Sequence, residues 1–396
     1  MDELNNGYLS HGILYKFYRI IDYIGYKLIK RNPLKLSKVP NQRLLFINLG
    51  LIGDLVLFRY VINEFLKLDY TIDILIQKQY SFLFSDLPNL NILKIANYKD
   101  KKILSGFLKI FRALKTQPHY HYAVACHFRG YLGTGILATF LARVAINQIG
   151  YATSGFGFLL NKCVKWQPYA HETTHLLDIL RLIEPQYNYI NLRVFDYCLV
   201  NNEILNKYNL VNQKYIVIHP TSQNDKKNIP QHMLKYTIDY LLNNTDWIIV
   251  IVGTETERSY VEMSLQITQL VTTKSLIDKN NKAEKLNSRL IFTNGQISLF
   301  DVRCMVSSAK FFIGVDSSIA HLVSSLKLPK IILWHSLNLL IQWRPLGDNF
   351  IIIEPNSLTH NSIELVSNND SNNASNNLII NKLIQIGIIK YENTLN

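Results

Sequence analysis

FFIGVDSSIAHLVSSL, residues 311–326, decides the fold, because it predicts a buried strand that turns directly into a helix. Its first five residues are apolar and typical of a short strand covered on both faces. Asp316 ends this strand, and Ser317 or Ser318 can cap a helix whose apolar residues recur at helical spacing. N–H groups at a helix start lack partners, so with His321 nearby they predict an anion site. A capped junction without a ligand is the alternative.

Short apolar strands alternate with helical patterns over most of the chain, and this alternation predicts the α/β fold class. One series of strands and helices occupies residues 41–205, with helices predicted over 103–115 and around 132–145, and a second series occupies 212–356. Repeated alternation is typical of parallel sheets covered on both faces, so we predict two such domains. Residues 1–40 form a basic amphipathic extension, whereas the tail, 357–396, contains an Asn-rich loop at 367–377 and a closing helix.

The composition allows two substantial cores and favours an acidic partner. The chain has 396 residues, of which 48% are hydrophobic and 18% charged, and its formal net charge is +13. That charge favours nucleic acid, an anionic membrane or a phosphate-bearing small molecule. Nucleic acid is disfavoured because the basic residues do not cluster around a recognition element. The four cysteines lie far apart without a C-x-x-C pair, which predicts reduced core residues rather than a zinc site.

Residues 11–31 combine an apolar helical face with interspersed Lys, Arg and Tyr residues. This pattern is typical of a helix on an anionic membrane surface, and a helix packed on the domain behind it is the equal alternative. No apolar run reaches the roughly 18–20 residues of a spanning helix. The first residues, MDELNNG, do not resemble an export signal. We therefore expect a cytoplasmic protein, peripheral on the inner face of the cytoplasmic membrane.

The loop LGLIGD, residues 49–54, follows the first predicted strand of the first domain. It places Gly50, Gly53 and Asp54 at the carboxyl end of that strand, where open α/β sheets bind ligands. The loop lacks the glycine spacing of a dinucleotide fingerprint, and no phosphate-loop motif occurs in the chain. Nicotinamide dehydrogenases and P-loop nucleotidases are therefore disfavoured. Asp54 can cap the next helix or act as a general base, and the pattern leaves both roles open.

Two loops of the second domain carry residues suited to a nucleotide. Thr221 and Ser222 follow the strand KYIVIHP, and Lys226 and Lys227 come soon after. Hydroxyl and ammonium donors can neutralise a diphosphate, although loop lysines are often merely solvated.

The next strand ends in VIVGTETER, which contains Gly253, Glu255 and Glu257. These acids can accept hydrogen bonds from ribose hydroxyls or be solvated. The chain contains no D-x-D sequence of the kind that binds a metal ion with a sugar nucleotide, which disfavours metal-dependent catalysis of that type.

In this order, these segments resemble the glycosyltransferase family 9 enzymes, the ADP-heptose:lipopolysaccharide heptosyltransferases. The resemblance covers roughly residues 43–355 and includes five segments: NLGLIGDLVLF, HETTHLLDILRLI, IHPTSQNDKKNIP, VIVGTETER and FIGVDSSIAHLVSSLKLPKIILWHS. It implies a GT-B type fold of two facing Rossmann-like domains with parallel sheets and a C-terminal crossing helix. The first domain would bind the acceptor and the second the nucleotide sugar.

The resemblance also implies roles for single residues. Asp54 would be the general base, with Gly50 and Gly53 on the acceptor side, and Lys227 would stabilise the leaving diphosphate. Lys226 is its rival, because the loop is one residue longer than usual. Nucleotide-sugar binding would involve Thr221, Ser222, Lys226, Gly253, Glu257, Asp316, Ser317, Ser318 and His321.

The implied function is an inverting, metal-independent transfer of heptose from ADP-heptose to a lipopolysaccharide core acceptor, without a cofactor. The expected partners are the donor, an anionic glycolipid acceptor and the cytoplasmic membrane surface, but no nucleic acid. Another nucleotide sugar, a capsule-type acceptor or a non-catalytic nucleotide- or lipid-binding relative are the alternatives. The family usually has Thr-Gly where this chain has Ser317 and Ser318, and Trp where it has Ile229. These departures bear on the donor more than on the reaction class.

Overall fold

The structure, a computed structural model, describes residues 13–29, 42–95, 103–126, 144–151, 156–164, 167, 169–187, 202–211, 213–265, 288–335, 340–354 and 378–388. The helix predicted around residues 132–145 lies largely outside this part of the chain, as does the Asn-rich loop. The chain divides into two compact units. Unit 1 contains Met1–Phe195 and Ile341–Arg344, and unit 2 contains Asp196–Leu340 and Pro345–Asn396.

Unit 1 is built on a six-stranded parallel sheet with the strand order β3-β2-β1-β4-β5-β6. Its strands are β1 Gln42–Ile47, β2 Tyr70–Gln77, β3 Leu90–Ile95, β4 Tyr120–Ala125, β5 Val144–Gly150 and β6 Lys162–Cys163. The central strands are buried along most of their length, as expected for a sheet with helices on both faces. The order reverses between β1 and β4, so the carboxyl ends of these strands form a topological switch point.

The described α-helices in the first segment of unit 1 are α1 Ile13–Leu28, α2 Ile52–Phe65, α3 Ile103–Lys115 and α4 Glu172–Ile183. Short 3-10 helices occupy Lys78–Phe84 and Gly157–Leu159. Helix α2 is buried on most of its surface, and its Phe58 and Phe65 rings contact Phe46 of β1 at centroid distances of 5.7 and 4.6 Å. This packing fixes the middle and the end of α2 against β1.

Unit 2 repeats the architecture with the strand order β12-β11-β10-β7-β8-β9, again with parallel pairing. Its strands are β7 Tyr215–His219, β8 Ile248–Ile251, β9 Leu290–Phe292, β10 Phe312–Val315, β11 Lys330–Leu333 and β12 Phe350–Ile353. The order reverses between β7 and β10, where α/β sheets of this kind bind their ligands. The predicted parallel α/β fold is thus confirmed.

The described α-helices that follow are α5 Asn202–Lys207, α6 Gln231–Asn244, α7 Glu255–Ser264, α8 Leu299–Ser307, α9 Ser318–Leu322, α10 Leu340–Trp343 and α11 Leu378–Gln385. All of them belong to unit 2 except α10, which belongs to unit 1 from Ile341 onwards. A 3-10 turn occupies Asp225–Lys227. Helix α11 packs in the core of unit 2, where its buried Ile379, Ile380 and Leu383 join the cluster around the sheet. The apolar side chains of this helix are thus buried on unit 2.

Within the described residues, no helix is both long and apolar enough to span a membrane.

Candidate functional site

The polar residues of unit 2 gather at the carboxyl ends of β7 and β10. His219 ends β7 and pairs in register with Gly314 of β10, and Asp316 follows β10 directly. His219, Thr221, Asp316 and His321 are all buried, His321 within helix α9. Buried polar side chains are costly unless they are paired or serve a ligand, which marks this edge of the sheet as a site.

An ion pair joins the loop after β7 to the end of β10. Lys227 Nζ lies 2.6 Å from Asp316 Oδ2, and the two side chains are only 12% and 5% exposed. The loop is held by Asn224, which accepts from the Lys226 N–H at 3.2 Å, and by Asn228, which accepts from the Ser222 N–H at 2.8 Å. Lys226 itself is exposed. The structure therefore brings Lys227, and not Lys226, into the site.

Thr221 contributes a hydroxyl without a protein partner. The residue is 1% exposed, and within the described part of the chain its Oγ1 makes no hydrogen bond. Buried hydroxyls nearly always have a hydrogen-bond partner, so a hydroxyl without one at a switch point is a donor available to a ligand. Ser222 is half-buried, and its hydroxyl accepts from the Asn224 N–H at 3.4 Å.

Helix α9 is shorter than the sequence pattern predicts. It spans five residues, from Ser318 to Leu322, before a turn, so it has few aligned peptide dipoles to attract an anion. Ser317 occupies the N-cap position, yet its side chain makes no capping hydrogen bond. At the other end of α9, Arg303 donates to the Leu322 carbonyl at 2.5 Å. The short helix is thus fixed at its C-terminus by a buried guanidinium, and any anion site depends on hydrogen-bond donors more than on a dipole.

His219 is the residue that sequence reasoning missed. Burial lowers the pKa of His219 to about 4, and the nearby negative charge of Glu257 opposes this shift only in part. The imidazole is therefore neutral at pH 7, and its Nδ1 lies 3.2 Å from Ser317 Oγ. The sequence did offer a signal, because His219 lies at the end of the first strand of unit 2 and two residues before Thr221.

The end of β8 is closely packed around Gly253. A side-chain Cβ at this position would lie 2.7 Å from Asn294 Nδ2 and 2.8 Å from Glu257 Oε2, so a larger residue would displace these side chains. Glu257 caps α7 by accepting from the Thr254 N–H at 2.6 Å. Asn294 is fully buried, and its Oδ1 makes no hydrogen bond within the described residues. Asn294 is a second residue that the sequence pattern did not single out.

In unit 1, Asp54 lies at the switch point beyond β1. Its Oδ2 accepts from the Leu51 N–H at 2.9 Å, so Asp54 caps helix α2. A Cβ at Gly50 would come within 2.8 Å of the Asp54 side chain, which explains the glycine. Gln77 Nε2 donates to the carbonyls of Leu49 and Gly50 at 3.1 and 3.2 Å and fixes the loop from the end of β2.

Tyr80 lies near this carboxylate. Burial raises the pKa of Tyr80, and the charge of Asp54 raises it further. Gly53 lies half-buried in the first turn of α2. Asp54 therefore has one oxygen engaged in capping and a buried phenol within its electrostatic reach. In the described ranges of both units, no group of three His, Cys, Asp or Glu side chains is placed to hold a metal ion.

Several solved structures share this fold at low sequence identity. A family 9 glycosyl transferase from Veillonella parvula superposes with a TM-score of 0.62 at 14% identity, covering 84% of this chain and 90% of that chain. The E. coli ADP-heptose LPS heptosyltransferase II gives 0.58 at 15% identity, covering 79% and 90%. E. coli heptosyltransferase WaaC, solved with ADP, gives 0.57 at 14% identity, covering 82% and 99%. These likenesses confirm the GT-B-like fold.

The family model for glycosyltransferase family 9 (heptosyltransferase) matches residues 107–370, more than half of the chain. The search of curated proteins found no match to this chain. The family match, together with two parallel sheets that each have a topological switch point, identifies a glycosyltransferase. The chain belongs to glycosyltransferase family 9, the heptosyltransferases, and the resemblance seen in the sequence is confirmed.

Proposed function

We propose that this glycosyltransferase moves heptose from ADP-heptose to a lipopolysaccharide core acceptor, inverting the anomeric centre without a metal ion. The observation that carries the proposal is the ion pair of Lys227, whose side chain is 12% exposed, with Asp316. The same loop presents the Thr221 hydroxyl, which has no hydrogen bond among the described residues. ADP is the ligand named for the similar WaaC structure, and ADP-heptose is the donor named for the similar heptosyltransferase II.

The leaving group explains why these donors matter. When the bond to the sugar breaks, negative charge grows on the departing diphosphate oxygen, and fixed donors stabilise that charge in the transition state. Lys227 supplies one positive charge, while Thr221, Ser222 and Ser317 supply hydroxyl groups. In this scheme Asp316 keeps the lysine in position before the donor arrives.

Asp54 is the general base of the proposed reaction. A carboxylate can take the proton of an acceptor hydroxyl as that hydroxyl attacks the anomeric carbon. Only Oδ2 of Asp54 is used to cap α2, which leaves Oδ1 for the acceptor. Gln77 and Gly50 maintain the loop that sets the position of the carboxylate.

The proposal includes an anionic membrane surface, because a lipopolysaccharide acceptor is anchored in a bilayer. Ile20, Ile24 and Leu28 recur every fourth residue along α1 and are 59%, 48% and 79% exposed. The other side of α1 is fixed to unit 1, since Gly25 packs closely on the Phe158 ring. Lys27, which lies over the Tyr23 ring, adds positive charge beside this face. An apolar face bordered by basic residues suits the inner leaflet of the cytoplasmic membrane.

The transfer is tested by supplying the purified full chain with ADP-heptose, and separately with UDP- and GDP-sugars, together with heptose-deficient lipopolysaccharide. Mass spectrometry of the glycolipid then identifies the added sugar. We expect one heptose to be added without divalent cations, Lys227→Ala to reduce turnover at least tenfold, and the exposed Lys226→Ala to change it little. Consumption of no nucleotide sugar would refute the transferase proposal, whereas use of another sugar would refute only the heptose assignment.

Membrane association is tested by sedimentation with vesicles that contain phosphatidylglycerol. We expect Ile20→Ser, Ile24→Ser and Leu28→Ser together to reduce binding strongly, because about 25 cal/mol is lost per Å² of apolar surface that no longer enters the bilayer. Met263→Ser, which removes an exposed apolar side chain of α7, is the matched control. Equal vesicle binding by the triple variant and the control would exclude α1 as the membrane contact.

A further inference from the structure

Ser317 has an unusual hydrogen bond for its position. Serine at an N-cap normally accepts a hydrogen bond from a backbone N–H two or three residues later, but Ser317 makes no such bond. Its Oγ instead lies 3.2 Å from Nδ1 of His219, a residue 98 positions away. Among the described residues, neither side chain has any other hydrogen bond. The serine hydroxyl is therefore oriented by the histidine and not by the helix.

His219 is well placed to hold a hydroxyl still. It is 5% exposed and belongs to β7, which has β10 on one side and β8 on the other. Burial favours the neutral imidazole, so the ring has one N–H and one acceptor nitrogen. Glu257 acts on the ring electrostatically from α7, and Asp316, the partner of Lys227, directly precedes Ser317 in the chain.

The ligand decides how the shared proton is arranged. A hydroxyl can donate one hydrogen bond and accept others, while an ionised diphosphate only accepts. If Nδ1 carries the histidine proton and donates it to Ser317 Oγ, the serine O–H is left to donate to a phosphate oxygen. If the serine donated to Nδ1, its oxygen lone pairs would face the phosphate and repel it. A bound diphosphate therefore selects the first arrangement.

We propose that His219 is a positioning residue that donates a hydrogen bond to Ser317 and thereby directs the serine hydroxyl proton towards the diphosphate of the sugar-nucleotide donor. This inference rests on the proposed function, because it requires a diphosphate at the carboxyl ends of β7 and β10. It adds His219, two residues before Thr221, to the residues that act on the diphosphate. It also gives Ser317 a defined orientation. Ser317 stands where family members usually have threonine.

Two amide substitutions separate the nitrogens of the ring. In His219→Asn the amide nitrogen takes the place of Nδ1, whereas in His219→Gln it takes the place of Nε2. We expect His219→Gln to weaken diphosphate binding about tenfold, because a hydrogen bond to a charged group is lost, and His219→Asn to retain most of the affinity. Calorimetry of the full chain with ADP, UDP and GDP measures this, using whichever binds the wild-type protein most tightly. His232→Gln, at an exposed position of α6, is the control.

A double-mutant cycle tests whether His219 acts through Ser317. We expect Ser317→Ala to weaken binding about as much as His219→Gln, and the combined variant to be no weaker than Ser317→Ala alone. Thermal unfolding of every variant checks the fold, and Ser317→Ala stays informative even if a His219 variant is unstable. Losses that multiply in the combined variant, or equal losses for His219→Asn and His219→Gln, would overturn the inference alone. A wild-type protein that binds none of the three diphosphates would overturn the proposed function and this inference together.

Discussion

Replacing Lys227 with methionine separates the stability of the site from its chemistry. Methionine keeps much of the side-chain volume but removes the charge, which leaves the Asp316 carboxylate buried without its lysine. Removing one partner of a buried ion pair typically costs about 3–5 kcal/mol, and the low exposure of both side chains places this pair in that class. We expect a loss near the lower end, about 3 kcal/mol, since the lysine retains some contact with water.

Urea denaturation followed by circular dichroism measures this loss, with a separate transition for each unit resolved where the curves allow it. Adding Asp316→Asn to Lys227→Met removes the unpaired charge, so most of the stability returns while activity stays low. Lys226→Met is the matched control, since the exposed lysine has no buried partner. Equal unfolding free energies for Lys227→Met and Lys226→Met would refute the reasoning, as would a double variant no more stable than Lys227→Met.

Three further predictions concern single groups of the two units. Because burial lowers the pKa of His219 from 6.5 to about 4, the unfolded chain binds more protons between these pH values. His219 therefore costs stability as pH falls through this window, by up to about 3 kcal/mol, and His219→Asn should flatten the unfolding free energy between pH 6.5 and 4 relative to wild type. Asp54→Asn keeps an oxygen to cap the Leu51 N–H, so we expect turnover to fall about 10²–10⁴-fold with an unfolding free energy unchanged within about 0.5 kcal/mol; parallel loss of both would contradict the base role. Gly253→Ala forces a Cβ against Glu257, and we expect a loss of about 1–3 kcal/mol by urea denaturation, whereas an unchanged midpoint would show that the loop relaxes freely.

The strands and helices that the sequence predicts correctly are those with strong local patterns. The apolar segment KYIVIHP contains β7, and the helix predicted over 103–115 has the same bounds in the structure. By contrast, Val144–Gly150 was not recognised as β5, because Asn147 and Gln148 interrupt its apolar run. Asn147 is nevertheless buried. Such a segment becomes a strand because it pairs with the neighbouring strands of the sheet, so tertiary pairing overrides the local pattern.

The positions of the site residues follow from the sequence, but their partners do not. Parallel strands place Thr221, Gly253 and Asp316 at one edge of a sheet, and that placement was predictable. Which lysine meets Asp316 depends on a 3-10 turn and on a contact between residues 89 positions apart. The pairing of His219 with Ser317 depends in the same way on the register of β7 and β10. Long-range register, and not local propensity, determines these contacts.

The large positive charge of the chain says little about how the site attracts a diphosphate. Lys227 and Asp316 lie 2.6 Å apart, so their charges nearly cancel before any ligand binds. A phosphate that approaches this pair meets attraction from the lysine and repulsion from the aspartate at similar distances. Neutral donors of fixed direction, the Thr221 hydroxyl and the Ser317 hydroxyl beside His219, then add to the attraction of Lys227. Fixed neutral donors lose less than free charges when salt screens the surface, so burial gives this site a preference that the net charge of +13 could not supply.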